Sequence, residues 1–190
     1  MKKKLKIKYN SPVSLSFVIL CFGVTIAGII TNGYITETFF SVYRGSLDDI
    51  LSIIRLISHV IGHAGMNHFM SNAMYILLLG PMLEEKHGSK VMFGVIIFTA
   101  IATGIIHCLL WENIILCGAS GIVFAYIVLS SFTAFKEGEI PLTFILVVTL
   151  FIGTEVYTGI IMQDNISNIS HIIGGVTGAI VGYTVNMNKM

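Results

Sequence analysis

The chain has 190 residues, of which 55% are hydrophobic and 11% charged, and its mean hydropathy is +0.87. A soluble domain carries about 25% charged residues, so this composition excludes one and indicates a polytopic membrane protein. A net charge of +1, with basic residues scattered beyond the N-terminus, leaves no footprint for nucleic acid.

A spanning helix needs about 20 residues almost free of charge. Histidine aside, the chain offers six such stretches, at Ser14–Ile30, His68–Leu83, Val91–Leu110, Ser120–Phe135, Pro141–Val156 and His171–Asn186. The fold expected is an all-α polytopic membrane domain of six transmembrane helices occupying 1–190, several of whose spans begin below the outer surface. The N-terminal MKKKLKIK has the charge of a signal peptide, but the apolar stretch after it is long for one and no small-x-small cleavage site follows. Residues 1–13 are therefore read as a basic cytoplasmic tail and the first span as an anchor. Six crossings also return the C-terminus to the cytoplasm. They place Lys2, Lys3, Lys4, Lys6, Lys8, Lys86, Lys90, Lys136 and Lys189 inside and only Arg44 and Arg55 outside, nine against two. Residues 31–58 form the long outer loop, whose Phe39-Phe40-Ser41-Val42-Tyr43-Arg44 stretch suits the lipid interface.

Three polar side chains then reach one depth. At about 1.5 Å per residue, Ser120 stands roughly 24 Å above Lys136, His171 roughly 27 Å above Lys189 and His68 roughly 27 Å above Lys86. All are near the outer edge of a hydrocarbon layer about 30 Å thick. Ser120 lies among small residues in Gly118-Ala119-Ser120-Gly121, and His171 opens an apolar run, so the two are a candidate nucleophile and base. Gly174, Gly178 and Gly182 recur every four residues as a bare stripe below His171, against which the Ser120 helix can come close. Phe124 is one turn below Ser120, where its ring can pack on the imidazole. Cys21, Cys108 and Cys117 have no metal-ligand spacing and read as small apolar side chains.

With Arg55 and the spacing His59-x3-His63-x4-His68-x3-Asn72 ahead of them, these residues resemble the rhomboid family of intramembrane serine proteases in its bacterial, six-helix form. Gly118-x-Ser120-Gly121 and His171-x2-Gly174-x3-Gly178 complete the match, in order and over nearly the whole chain. Ile54 precedes Arg55 where the family usually has tryptophan, Ser170 precedes His171 where alanine is frequent, and Phe124 stands where some members have tyrosine. None of these departures removes a catalytic group. The resemblance implies an endopeptidase that cuts single-pass transmembrane protein substrates near the outer face of the cell membrane, with no cofactor and no metal. It assigns the oxyanion contacts to His68, Asn72 and the Ser120 amide, and supporting roles to Gly118, Gly121, Phe124, Gly174, Gly178 and His63.

The residues themselves support a Ser–His dyad, in which His171 takes the Ser120 proton and returns it to the leaving amine. Glu155 and Asp164 lie toward the outer end of the fifth span, and neither is singled out as a third member. The first amides of a helix point at anions, which suits the Ser120 amide to an oxyanion. His59 and His63 line a path for water. Against this, Ser120 can be a packing residue, and Asn72 interhelical glue. His59, His63 and His68 can ligate a metal, the first two being one turn apart on a helix. A catalytically inactive rhomboid-like protein that binds membrane clients is the remaining alternative, and it normally lacks the serine or the histidine.

Overall fold

The computed structural model describes residues 7–45, 49–112, 114–132, 139–162 and 165–187. They form eight helices: α1 (Pro12–Ile30), α2 (Tyr34–Phe39), α3 (Ile50–Ser58), α4 (Met66–His87), α5 (Ser89–Leu110), α6 (Ser120–Ser131), α7 (Leu142–Met162) and α8 (Asn165–Met187). An isolated antiparallel bridge joins Val42, between α2 and α3, to Leu116, just ahead of α6. Among the described residues, α1 and α5 are long and apolar enough to cross a membrane, while α6 is apolar but only 12 residues long.

The sequence places helices where charge is scarce, and the structure extends several of them through polar turns. The helix expected to open at His171 begins at Asn165, so His171 sits in the second turn of α8. Asn and Ser residues lower the hydropathy of 165–170 but are well tolerated near a helix start. α4 likewise continues through Glu84, Glu85 and Lys86, and α7 continues to Met162. The 31–58 segment, expected as a loop, contains two short helices, α2 and α3. Lys2, Lys3, Lys4, Lys6, Phe135, Lys136, Asp164, Lys189 and the Glu155 side chain lie outside the described part of the molecule.

Solvent exposure is inverted relative to a soluble protein. Ser14, Thr25, Thr99, Thr103, His59, His107 and Glu84 are buried, whereas Leu78, Leu109, Leu142 and Leu150 are about two-thirds exposed. Buried polar groups need partners, and Glu84 shows how they are found. Its carboxylate accepts the backbone N–H groups of Val13 and Ser14 at 3.0 Å, the Ser14 hydroxyl at 3.0 Å and the Ser89 hydroxyl at 2.7 Å. The first amides of α1 have no acceptor in their own helix, and Ser11 does not cap them. A carboxylate from α4 does so instead, favoured by the positive end of the helix dipole, and it ties α1, α4 and α5 together.

The closest helix pair is α6 with α8. A methyl group added to Gly174 would lie 2.9 Å from Gly121 Cα, and one added to Gly178 would lie 3.0 Å from Ala125 Cα. Both values are below ordinary contact, so the two backbones touch through the glycine stripe, and Gly182 continues it against the Phe132 ring. Replacing Gly178 by alanine therefore forces the helices apart and is expected to cost about 1–3 kcal/mol, the usual penalty of overpacking. Gly94→Ala is the control, because nothing lies within 4 Å of its added methyl. Unfolding midpoints in detergent should fall for Gly178→Ala and hold or rise for Gly94→Ala.

Candidate active site

Ser120 is the first residue of α6, half-buried, with Ala119 as a cap that offers no side-chain acceptor. The first backbone bond of the helix runs from the Val123 N–H to the Ala119 carbonyl, which leaves the amides of Ser120, Gly121 and Ile122 pointing out of the helix end. Gly118 reaches this point with φ at +129°, a conformation that glycine alone adopts easily, and its amide donates to the His59 carbonyl at 3.0 Å. That bond fixes the loop ahead of Ser120 to the end of α3.

Two side chains of α4 close over the same loop. A methyl group at Gly118 would meet His68 at 2.7 Å from Cε1 and 2.8 Å from Nε2, and would lie 3.8 Å from Asn72 Nδ2. His68 and Asn72 are one turn apart on α4 and so share a face. The Asn72 Nδ2 is buried and has no acceptor among the described residues. Behind them His63 sets its ring edge-on to His68 and Phe69, at 5.1 and 5.6 Å between centroids. His63 Nδ1 is 3.2 Å from the Ile61 carbonyl and must donate to it, so Nε2 carries the lone pair.

From the other side, α8 brings His171. Its ring lies against Phe124, 4.2 Å between centroids at 34°. The two helices meet at Gly121 and Gly174, and a methyl group added to Gly121 would lie 3.3 Å from the Ser170 carbonyl oxygen. His68 is within electrostatic reach of His171, which links the α4 and α8 sides of the cluster. The structure thus gathers Gly118, Ser120, Gly121, Phe124, His63, His68, Asn72, His171 and Gly174 around the start of α6, with Gly178 one turn below.

The metal reading of the histidines meets a different geometry. His59 caps α3 and His63 lies in the non-helical stretch before α4, so they are not one helical turn apart. Among the described residues no three His, Cys, Asp or Glu side chains are placed to hold a metal ion. His59 instead turns inward, with Nδ1 on the Arg55 carbonyl and Nε2 3.1 Å from Thr103 Oγ1.

That contact exposes residues that the sequence reading passed over. Thr99, Thr103 and His107 are four residues apart on one face of α5, all buried, and the methyls of Thr99 and Thr103 pack beside Gly121. His107 donates from Nε2 to the Ile114 carbonyl at 2.9 Å and stacks on Trp111. The signal was available, since three polar residues at helical spacing inside an apolar span mark an inward face. Cys21, Cys108 and Cys117 are free thiols.

Among the described residues the chain is all-helical, with inward polar groups, outward apolar ones and a half-buried serine at a helix start, the pattern of a membrane protein. Comparison with known proteins gives its class. The rhomboid domain family matches residues 51–188. The chain is 32% identical over 145 residues to rhomboid-related protein 1 of Caenorhabditis elegans, covering 70% of this chain and 40% of that protein. It is 32% identical over 146 residues to rhomboid-related protein 2 of Mus musculus, covering 69% and 47%. Rhomboid protease GlpG of Yersinia pestis (strain Pestoides F) is 25% identical over 187 residues, covering 94% of this chain and 64% of the relative. The chain belongs to the rhomboid family. It spans between about two-fifths and two-thirds of the length of these curated relatives, and their range of organisms does not restrict it to the bacterial form.

Gly118 gives a structural test of the cluster. Alanine there must adopt a positive φ and meet the His68 ring, so Gly118→Ala is expected to lower stability by about 1–3 kcal/mol, the range for a strained backbone position. Thermal unfolding in detergent measures it, and a variant as stable as the parent would show that the loop does not need glycine.

Proposed function

We propose that the chain is an intramembrane serine endopeptidase that cleaves single-pass transmembrane proteins near the outer membrane face through a Ser120–His171 dyad. The observation that supports the reading is the convergence of α4, α6 and α8 near one helix start, where His68 and Asn72 lie against Gly118 and His171 lies against Phe124. In this reading 1–190 holds one rhomboid domain of six crossings, α1, α4, α5, α6, α7 and α8, with 1–13 and the C-terminus cytoplasmic and 31–58 outside. A helix of 12 residues is only about 18 Å long. With its inner end at the membrane boundary, α6 leaves Ser120 below the surface of a layer about 30 Å thick.

The chemistry follows from the groups present. His171, held by the Phe124 ring, removes the Ser120 proton as Oγ attacks the scissile carbonyl. The tetrahedral oxygen takes hydrogen bonds from the Ser120 amide, the Asn72 Nδ2 and His68, donors already in place before charge develops. His171 then protonates the leaving amine, and water repeats the sequence on the acyl-enzyme. Water arrives from the outer side past His63, which lines an open cavity together with Cys117.

Purified protein reconstituted with a fluorogenic single-pass substrate tests the dyad. Ser120→Ala and His171→Ala should each lose nearly all cleavage, with the double variant no worse than either, because the two act as a unit. Substantial cleavage by Ser120→Ala would remove the serine mechanism. A parent protein that binds the substrate but leaves it whole would place the chain among client-binding rhomboid-like proteins.

Asn72 separates the oxyanion role from packing. Loss of one oxyanion donor costs about 10²–10³ in turnover, and two donors remain, so Asn72→Ala should lower kcat by about 10² or less with KM little changed. An unchanged rate in a variant as stable as the parent would take Asn72 out of the site. A rate reduced only in proportion to lost folded protein would make it interhelical glue.

A further inference from the structure

Arg55 on α3 is 6% exposed, yet most of its hydrogen-bonding capacity is unused. Its Nε donates to the Thr38 carbonyl at 2.7 Å, and the guanidinium lies over the Tyr43 ring, 4.5 Å from the centroid. The nearest carboxylate among the described residues, Asp49, is 3.9 Å from Nη1, beyond hydrogen-bond range. A guanidinium carries five N–H donors, and among the described residues those on Nη1 and Nη2 have no acceptor. They open on a cavity, where an anionic oxygen can take a charge-assisted hydrogen bond from them. Arg44, the other outer cation, is already satisfied by the Cys108 and Leu109 carbonyls, each at 2.6 Å, and by Glu112.

Arg55 lines an open cavity of about 430 Å³, which Glu37 also lines. An apolar groove of about 160 Å³ adjoins it, walled by Ile53, Leu56, Ile105 and Leu109, and Tyr43 belongs to both. The setting is the lipid interface. α3 buries Arg55 and Ser58 and turns Ile50, Ile53, Ile54 and Ile57 outward, at 74%, 49%, 52% and 40% exposure. An apolar face presented away from the protein is how a helix lies on a bilayer.

A polar cavity joined to an apolar groove fits an amphiphile. We propose that this is a binding site for one phospholipid with a zwitterionic, ammonium-bearing headgroup. The phosphate takes the free Arg55 donors, the ammonium faces Glu37, and an acyl chain enters the groove between α3 and α5. A headgroup with net negative charge fits less well, because Glu37 and Asp49 already stand beside the one guanidinium and repel a second negative charge. The site is independent of the proposed cleavage, and its test requires none.

Delipidated protein in detergent is titrated with phosphatidylethanolamine, phosphatidylglycerol and diacylglycerol of the same acyl chains, and bound lipid is counted by native mass spectrometry. Phosphatidylethanolamine should give a one-lipid adduct about ten-fold or more tighter than the other two, the size expected for a charge-assisted hydrogen bond. Arg55→Gln should lose that preference, and Glu37→Gln should bring phosphatidylglycerol level with phosphatidylethanolamine. Ile105→Trp, which fills the groove without touching the Arg55 contacts, should weaken the adduct even if Arg55→Gln fails to fold. Equal binding of the three lipids, or an adduct that survives Ile105→Trp unchanged, would leave only annular lipid and overturn the site.

Discussion

The contact between the α6 and α8 backbones governs the rest of the molecule. Between apolar helices in lipid there is little hydrophobic drive to associate, so van der Waals contact and hydrogen bonds must hold them. Gly121 against Gly174 and Ala125 against Gly178 supply that contact, with no room for a methyl group between the backbones. The same closeness sets the position of the residues beside it, where Phe124 on α6 packs against His171 on α8 and Ser120 directly precedes Gly121. A side chain at either glycine would change the geometry of the site before it changed its chemistry.

Around this pair the polar groups of the other helices turn inward and satisfy one another. Glu84 caps α1 from α4 and reaches Ser89 of α5, while the Arg55 carbonyl and Thr103 hold the two ring nitrogens of His59. The bonds from Glu84 to the start of α1 and from His59 to Thr103 join segments far apart in sequence. In a low-dielectric interior such links are stronger than at a wet surface, and leaving one unmade is correspondingly expensive. They fix the register of helices that apolar contact alone would allow to slide.

Much of this was legible in the sequence, for identifiable reasons. Scarcity of charge located the long helices because lipid excludes charge from a span. The repeat of Gly174, Gly178 and Gly182 identified the closest interface because no other residue permits it. What was misread followed from the same rule. Hydropathy placed His171 at a helix start, although α8 begins at Asn165, because a polar turn is invisible to a measure of apolarity. α3 was absorbed into a loop, since nine residues cannot span and its isoleucines at 50, 53, 54 and 57 point out of the protein. Thr99, Thr103 and His107 were hidden inside a correctly placed helix, where spacing rather than composition carried the information.

The start of α6 concentrates features that weaken a fold. Gly118 has a positive φ, the first amides of the helix lack a helical acceptor, and the Asn72 amide is buried without one among the described residues. Each is unfavourable locally, and a sequence selected for stability alone would remove them with an ordinary turn and a side-chain cap. Their coincidence within a few residues of Ser120 is hard to explain as packing, because packing would be improved by losing them. On the proposed reading all three have one cause. Donors that are to meet a transient oxyanion must stay unpaired beforehand, and the neighbouring bonds from Gly118 to His59 and the contact of Gly121 with Gly174 hold them rigid enough to do so.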